Sequence, residues 1–209
     1  SNGGTYDPSI EYFDEDGNSV YFDHTDLPTG NILFSPRLGL NYDVKGDQSM
    51  QIRGGTGLFA GRLPFVWIGN QVANPDFFYY TMTDPNFKFP QVWRTNIGWD
   101  QKFGEGWTST VDLMYTQDVN GMMVRNYGLK LPSETLNGGS DNRPVYDLAN
   151  DRTQVFGGPS NAYVFTNTNV GRSINATFEL KRRWTNGLYT NLSYNYLDSK
   201  DASSIEAEI

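Results

Sequence analysis

Six stretches of this chain alternate apolar and polar residues with a period of two, and none sustains a long helical period. Successive side chains of a strand point to opposite faces, so each stretch sorts its residues into two sets. Over residues 31–43, Ile32, Phe34, Leu38, Leu40 and Tyr42 fall on one face, and Ser35, Arg37, Gly39 and Asn41 on the other. Over 49–59, Met50, Ile52, Thr56 and Leu58 oppose Gln51 and Arg53. Over 91–101, Trp93, Thr95, Ile97 and Trp99 oppose Arg94, Asn96 and Asp100. The fourth stretch, 107–117, sets Val111, Leu113 and Tyr115 against Thr108, Thr110, Asp112 and Thr116. The fifth, 173–181, sets Ile174, Ala176, Phe178 and Leu180 against Asn175, Thr177, Glu179 and Lys181. The sixth, 188–198, sets Leu188, Leu192, Tyr194 and Tyr196 against Asn191, Ser193 and Asn195.

The charges Arg37, Arg53, Arg94, Asp100, Asp112, Glu179 and Lys181 all share the side of the amides and hydroxyls. A soluble sandwich also alternates, so strand length and loop length have to separate the two readings. Roughly ten residues is what a tilted strand needs to cross a bilayer, whereas soluble strands average about five or six. Residues 44–48, 102–106 and 182–187 are short connections, the last containing the turn-forming pair Asn186-Gly187. Residues 60–90 and 118–172 are long ones. Short and long therefore alternate, as periplasmic turns and extracellular loops do in outer-membrane barrels. Phe103 with Trp107, and Trp184 with Leu188, put aromatic residues at the short turns, where a membrane interface would place them.

Composition narrows the field further. Cysteine is absent, which removes disulfides, thiolate metal sites and thiol nucleophiles. The single histidine, His24, stands among acidic and turn residues and makes no dyad or metal site by itself. A formal charge of −8 argues against a nucleic-acid partner, which would want a basic face. No apolar run approaches the length of a membrane helix, which excludes helical spanning alone.

The candidate sites are few. Asp14, Asp16 and Asn18 present alternating oxygens that could suit Ca²⁺, but Ser19 and Thr25 stand where the EF-hand loop needs Gly and Glu. Trp67, Phe77, Phe78, Tyr79 and Tyr80, with Phe65 and Phe87, make one long connection unusually aromatic. Such rings can stack on a sugar or grip a peptide, or pack on each other in the barrel mouth. Gly54-Gly55-Thr56-Gly57 has phosphate-loop composition without the Lys-Ser/Thr and helix that must follow, and glycines in a strand more often permit a bend or close approach. No pair of acids is singled out for catalysis, so no enzymatic activity and no cofactor are expected.

At this point the residues resemble a known family. The run Asn31-Ile-Leu-Phe-Ser-Pro-Arg-Leu-Gly-Leu-Asn-Tyr-Asp, then Gln51-Ile-Arg-Gly-Gly-Thr-Gly-Leu-Phe-Ala-Gly-Arg-Leu-Pro-Phe, resembles TonB-dependent outer-membrane receptors, most nearly the Oar-like group of Bacteroidetes-type bacteria. The stretch Ser193-Tyr-Asn-Tyr-Leu-Asp-Ser-Lys-Asp-Ala resembles their strand-to-loop exits. The resemblance implies about 22 strands closed around a plug. Residues 1–209 are then expected to be a piece of such a barrel: an all-β, antiparallel, up-and-down transmembrane segment of about six strands, without the plug. It implies TonB-driven import of a large or scarce ligand (peptide, glycan or chelate) across the bacterial outer membrane. The expected partners are the lipid bilayer, the plug of the same chain, TonB, the ligand and, as a candidate, a surface lipoprotein. The arginines Arg37, Arg53 and Arg94 then face the lumen, where they touch ligand, plug, or acids such as Asp100 and Asp112. Two rivals stay open: a structural barrel of a secretion or gliding assembly, and a secreted carbohydrate-binding β-sandwich with Trp93, Trp99 and Trp107 in its core.

Overall fold

A computed structural model of the chain describes residues 7–14, 16–23, 25–63, 65–73, 81–136, 140–147, 149–155 and 158–202. In chain order the elements are β1 (Tyr12–Phe13), β2 (Ser19–Val20), β3 (Arg37–Asp43), β4 (Met50–Ala60), α1 (Val66–Ala73), β5 (Thr81–Thr83), β6 (Gln91–Phe103), β7 (Trp107–Asn126), β8 (Glu134–Thr135), β9 (Pro144–Val145), β10 (Thr153–Val155), β11 (Gly158–Ser160), β12 (Tyr163–Thr168), β13 (Arg172–Arg183) and β14 (Tyr189–Lys200). Among the described residues the protein is all-β apart from one short helix.

Six long strands form one sheet in the order β14-β13-β7-β6-β4-β3, each antiparallel to its neighbours. Consecutive long strands are neighbours, which is the up-and-down order expected. The sheet is open: among the described residues, β3 and β14 each have one edge with no strand against it. The first alternating stretch is shorter than expected, because the strand starts only after Ser35-Pro36, leaving Ile32 and Phe34 as exposed residues before it. The fourth is longer. It continues to Asn126 through a bulge at Val119, where the register with β6 shifts between Val92↔Asp118 and Gln91↔Asn120. Beyond the bulge, β12 takes over as partner of β7, and β5 pairs parallel to β12, a departure from the all-antiparallel expectation.

The turns explain themselves at the residue level. Between β3 and β4 the Asp43 carboxylate accepts hydrogen bonds from the backbone N–H of Gly46 (3.0 Å) and Gln48 (2.8 Å), satisfying donors that the ladder leaves over. Between β13 and β14, Gly187 N–H donates to the Trp184 carbonyl (3.2 Å) with Gly187 at φ +87°, a value that favours glycine. Between β6 and β7, Gly106 has φ +75°, and a Cβ there would lie 2.2 Å from the Arg183 carbonyl oxygen of the neighbouring turn.

Among the described residues, the hydrophobic core does not lie under the paired lengths of the six long strands but takes in residues of β5 and β12 and packs against the far end of β7. It sits at the long-loop end, where Ile10, Tyr12, Met82, Val155, Ala162 and Val164 form one buried cluster and Leu63, Phe87 and Phe165 another. The long connections therefore carry structure of their own, where alternation alone marked them as loops. Phe87 stacks on Phe165 with ring centroids 4.6 Å apart. Gln71 of α1, fully buried, accepts from Thr83 N–H (2.9 Å) and donates to the Asp26 carbonyl (3.0 Å), fastening the helix to β5 and to the N-terminal segment. Each fully buried aromatic or aliphatic side chain of this core contributes about 1.5–3 kcal/mol.

Candidate functional site

The sheet has two unlike faces, and the register makes each face continuous across strands. One polar row runs Arg37–Gly57–Arg94–Thr116–Ser173–Ser199, and two rungs nearer the short turns another runs Gly39–Gly55–Asn96–Met114–Asn175–Leu197. The next is Asn41–Arg53–Gly98–Asp112–Thr177–Asn195, followed by Asp43–Gln51–Asp100–Thr110–Glu179–Ser193. All seven charges expected on one side, Arg37, Arg53, Arg94, Asp100, Asp112, Glu179 and Lys181, thus share a face in three dimensions.

They do not share one environment. Arg53 crosses the strand beside it: its fork meets the Asp112 carboxylate on β7 through two contacts (2.8 and 2.9 Å), and its Nε donates to Asp100 (2.8 Å). Gly98 makes this possible, since a Cβ there would stand 2.6 Å from Asp112 Oδ1 and 2.7 Å from Arg53 Cζ. Thr110 donates its hydroxyl to the other oxygen of Asp100 (2.7 Å). Glu179 and Lys181 pair with each other at 2.5 Å, two residues apart on β13, and Asn191 donates to Glu179 from β14 (3.0 Å). Asn195 donates to both Asn175 (3.1 Å) and Thr177 (2.7 Å), a small amide ladder.

Arg37 and Arg94 differ. Both are register partners of Gly57, and both guanidinium groups stand over one ring, Phe59, at 4.4 and 5.9 Å from its centroid. Arg94 also donates to the Thr116 hydroxyl (3.3 Å). Among the described residues no carboxylate pairs with either. The polar face therefore holds a saturated network toward the short turns and two unneutralised cations on an aromatic platform toward the long loops. Phe59 was not among the expected site residues; the only signal was an aromatic on the polar phase of its strand.

The opposite face is apolar and uncovered. Trp93 is 53% exposed, Ile97 54% and Leu192 66%, and no described element packs over them. Trp99 and Trp107 are only half-buried, so among the described residues no core forms around the three tryptophans as the rival sandwich reading requires. Charges on this phase occur only at strand ends: Arg172, Asp198 and Lys200 toward the long loops, and Arg182 toward the short turns. Arg172, Arg182 and Lys200 enter with the longer strands, whereas Asp198 lies within the alternating stretch 188–198 itself, on its apolar phase, an exception to the one-sided placement of charge.

The loop candidates fare differently. Trp67 lies in α1 and its side chain is not described; Phe77, Phe78, Tyr79 and Tyr80, and His24, lie outside the described residues. Phe87 is buried core rather than a ligand platform, and Phe65 packs edge-on against Phe89 at 6.0 Å. At the proposed calcium position, the Asp14 carboxylate accepts from Asp16 N–H (3.0 Å) and from Asn18 N–H (2.8 Å) and Nδ2 (3.0 Å), which hold it below the ordinary carboxylate pKa. Its oxygens close a turn, and among the described residues no group of three acids or histidines could hold a metal.

No family model and no curated protein matches the chain. Among solved structures, the fold is similar to the crystal structure of the outer membrane transporter YddB from Escherichia coli. The TM-score is 0.49 at 15% identity, over 79% of this chain and 20% of that one. This chain thus spans a fifth of the length of that protein.

Proposed function

We propose that the chain forms part of a β-barrel in a bacterial outer membrane, and that the barrel belongs to a receptor of the TonB-dependent kind. In this reading the ligand passes over the polar face, while the apolar face meets lipid. The observation that carries the membrane reading is the charge-free band on the uncovered face. Arg172 and Arg182 stand ten residues apart on β13, roughly 33 Å of extended strand, which at a tilt of about 40° covers about 25 Å of thickness. Between them that phase carries only Ile174, Ala176, Phe178 and Leu180. A soluble protein that left such a surface open would aggregate.

The receptor reading adds direction: the short turns are periplasmic, the long loops extracellular, and a ligand would arrive from outside. Arg37 and Arg94 lie toward the long loops on the polar face, and among the described residues neither has a carboxylate partner, which suits a carboxylate- or phosphate-bearing ligand. Uptake by cells expressing the full-length protein tests this, with and without TonB. Loss of uptake in both the receptor and the TonB deletion supports import; uptake indifferent to TonB points to a structural barrel. Arg37→Ala combined with Arg94→Ala is expected to lower uptake at least tenfold, about 1.4 kcal/mol of binding, while leaving the amount of folded protein in the membrane unchanged. Equal uptake in that variant would remove these two residues from the ligand path.

A further inference from the structure

Among the described residues, the charge at the short-turn rim of the apolar face has no counter-ion. Arg182, the penultimate residue of β13, is register partner to Trp107 on β7 and to Thr190 on β14, so strands flank it on both sides. Its guanidinium carbon lies 4.9 Å from the Trp107 ring centroid and 3.2 Å from that of Trp184. Phe103 stacks on Trp107 nearly parallel, with centroids 6.2 Å apart. Among the described residues no carboxylate pairs with Arg182, and its buried Nε finds no acceptor. The contrast with Arg53, whose fork and Nε are all met by carboxylates, is direct.

An unpaired cation beside apolar surface is costly unless something outside the protein completes it. The planar fork matches two phosphate oxygens, and the indole faces hold the guanidinium in place. Leu180 and Leu192 continue the same face away from the rim, and Leu192 is 66% exposed, so an anion seated on Arg182 would sit where an apolar tail could lie. We infer that Arg182, Trp107 and Trp184 form a binding site for the phosphodiester of a membrane phospholipid in the leaflet that meets the short turns. The site rests on the bilayer reading above, but it uses none of the ligand-facing residues.

The test uses full-length protein purified in maltoside detergent and titrated with phosphatidylglycerol, with retained lipid counted by native mass spectrometry. Arg182→Gln is expected to weaken the tightest lipid by roughly fivefold, the change that follows loss of one cation near an anionic headgroup. Arg182→Lys, which keeps charge but not the fork, should fall between, and Trp184→Leu, which keeps the cation, should also weaken binding. Inorganic phosphate at the same concentration should not displace the lipid. Unchanged retention in Arg182→Gln, or displacement by inorganic phosphate, would overturn the site. Insertion into phosphatidylglycerol vesicles separates the two claims. Protein that inserts but keeps its lipid without Arg182 refutes only this site, whereas protein that does not insert refutes the bilayer reading as well.

Discussion

Gly98 is small so that Arg53 can be long. The guanidinium lies across the β6 backbone to reach Asp112, and a methyl at Gly98 would collide with both partners. Because all three side chains of this network are about a third exposed, the ion pairs are worth about 1 kcal/mol at most. Gly98→Ala is therefore expected to lower unfolding stability by about 1 kcal/mol in urea titrations of the full-length protein. The same substitution should cost almost nothing when Arg53→Ala is already present. Additive losses would mean that Gly98 matters for another reason. That Arg53 and the two acids share a face was legible from alternation. That Asp100 and Asp112 would serve as partners was legible too, but that Arg53 rather than Arg37 or Arg94 meets them was not, because the choice depends on the register of three strands.

At the scale of elements, the turns and the loop body make separate demands. Gly104 and Gly106 belong to the same short connection and both have positive φ, but only Gly106 abuts backbone, the Arg183 carbonyl. Gly104→Ala should cost about 1 kcal/mol and Gly106→Ala clearly more, because the second cannot be relieved by rotating a side chain. Equal losses in thermal unfolding would contradict the close approach. In the loop body, Asp151 accepts from the Ser133 hydroxyl (2.6 Å) and from Asp147 N–H (2.7 Å), which together hold its pKa below the ordinary 3.8. A carboxyl whose folded pKa is depressed stabilises above its unfolded value, and that contribution is lost as pH falls through the folded value. Near-UV circular dichroism of the tyrosines should thus stay constant from pH 7 to about 4 and decline below it. In Asp151→Asn the signal should already be reduced at neutral pH and the acid step smaller; an unchanged acid step would place its origin elsewhere. The six long strands were legible because each repeats its pattern over many residues. The second half of β7 was not: Asn120-Gly121 reads as a break, and the bulge at Val119 changes which residues face which side. Helix α1 was missed for the same kind of reason, since eight residues in an aromatic stretch show no period that outweighs their surroundings.

For the whole molecule, the arrangement inverts that of a soluble domain. Among the described residues the buried core lies at one end, and the largest regular element has an apolar face with nothing against it. The account requires that face to meet lipid and the other to meet water. Since these residues contain no cysteine, single cysteines can be placed along β13 and β14 in the full-length protein, reconstituted in vesicles and spin-labelled. Labels at Ile174, Phe178, Leu192 and Tyr194 should relax with lipid-soluble oxygen, and labels at Asn175, Thr177 and Asn195 with a water-soluble nickel chelate, alternating residue by residue. Labels on both faces that respond alike to the water-soluble reagent would contradict the membrane-spanning sheet.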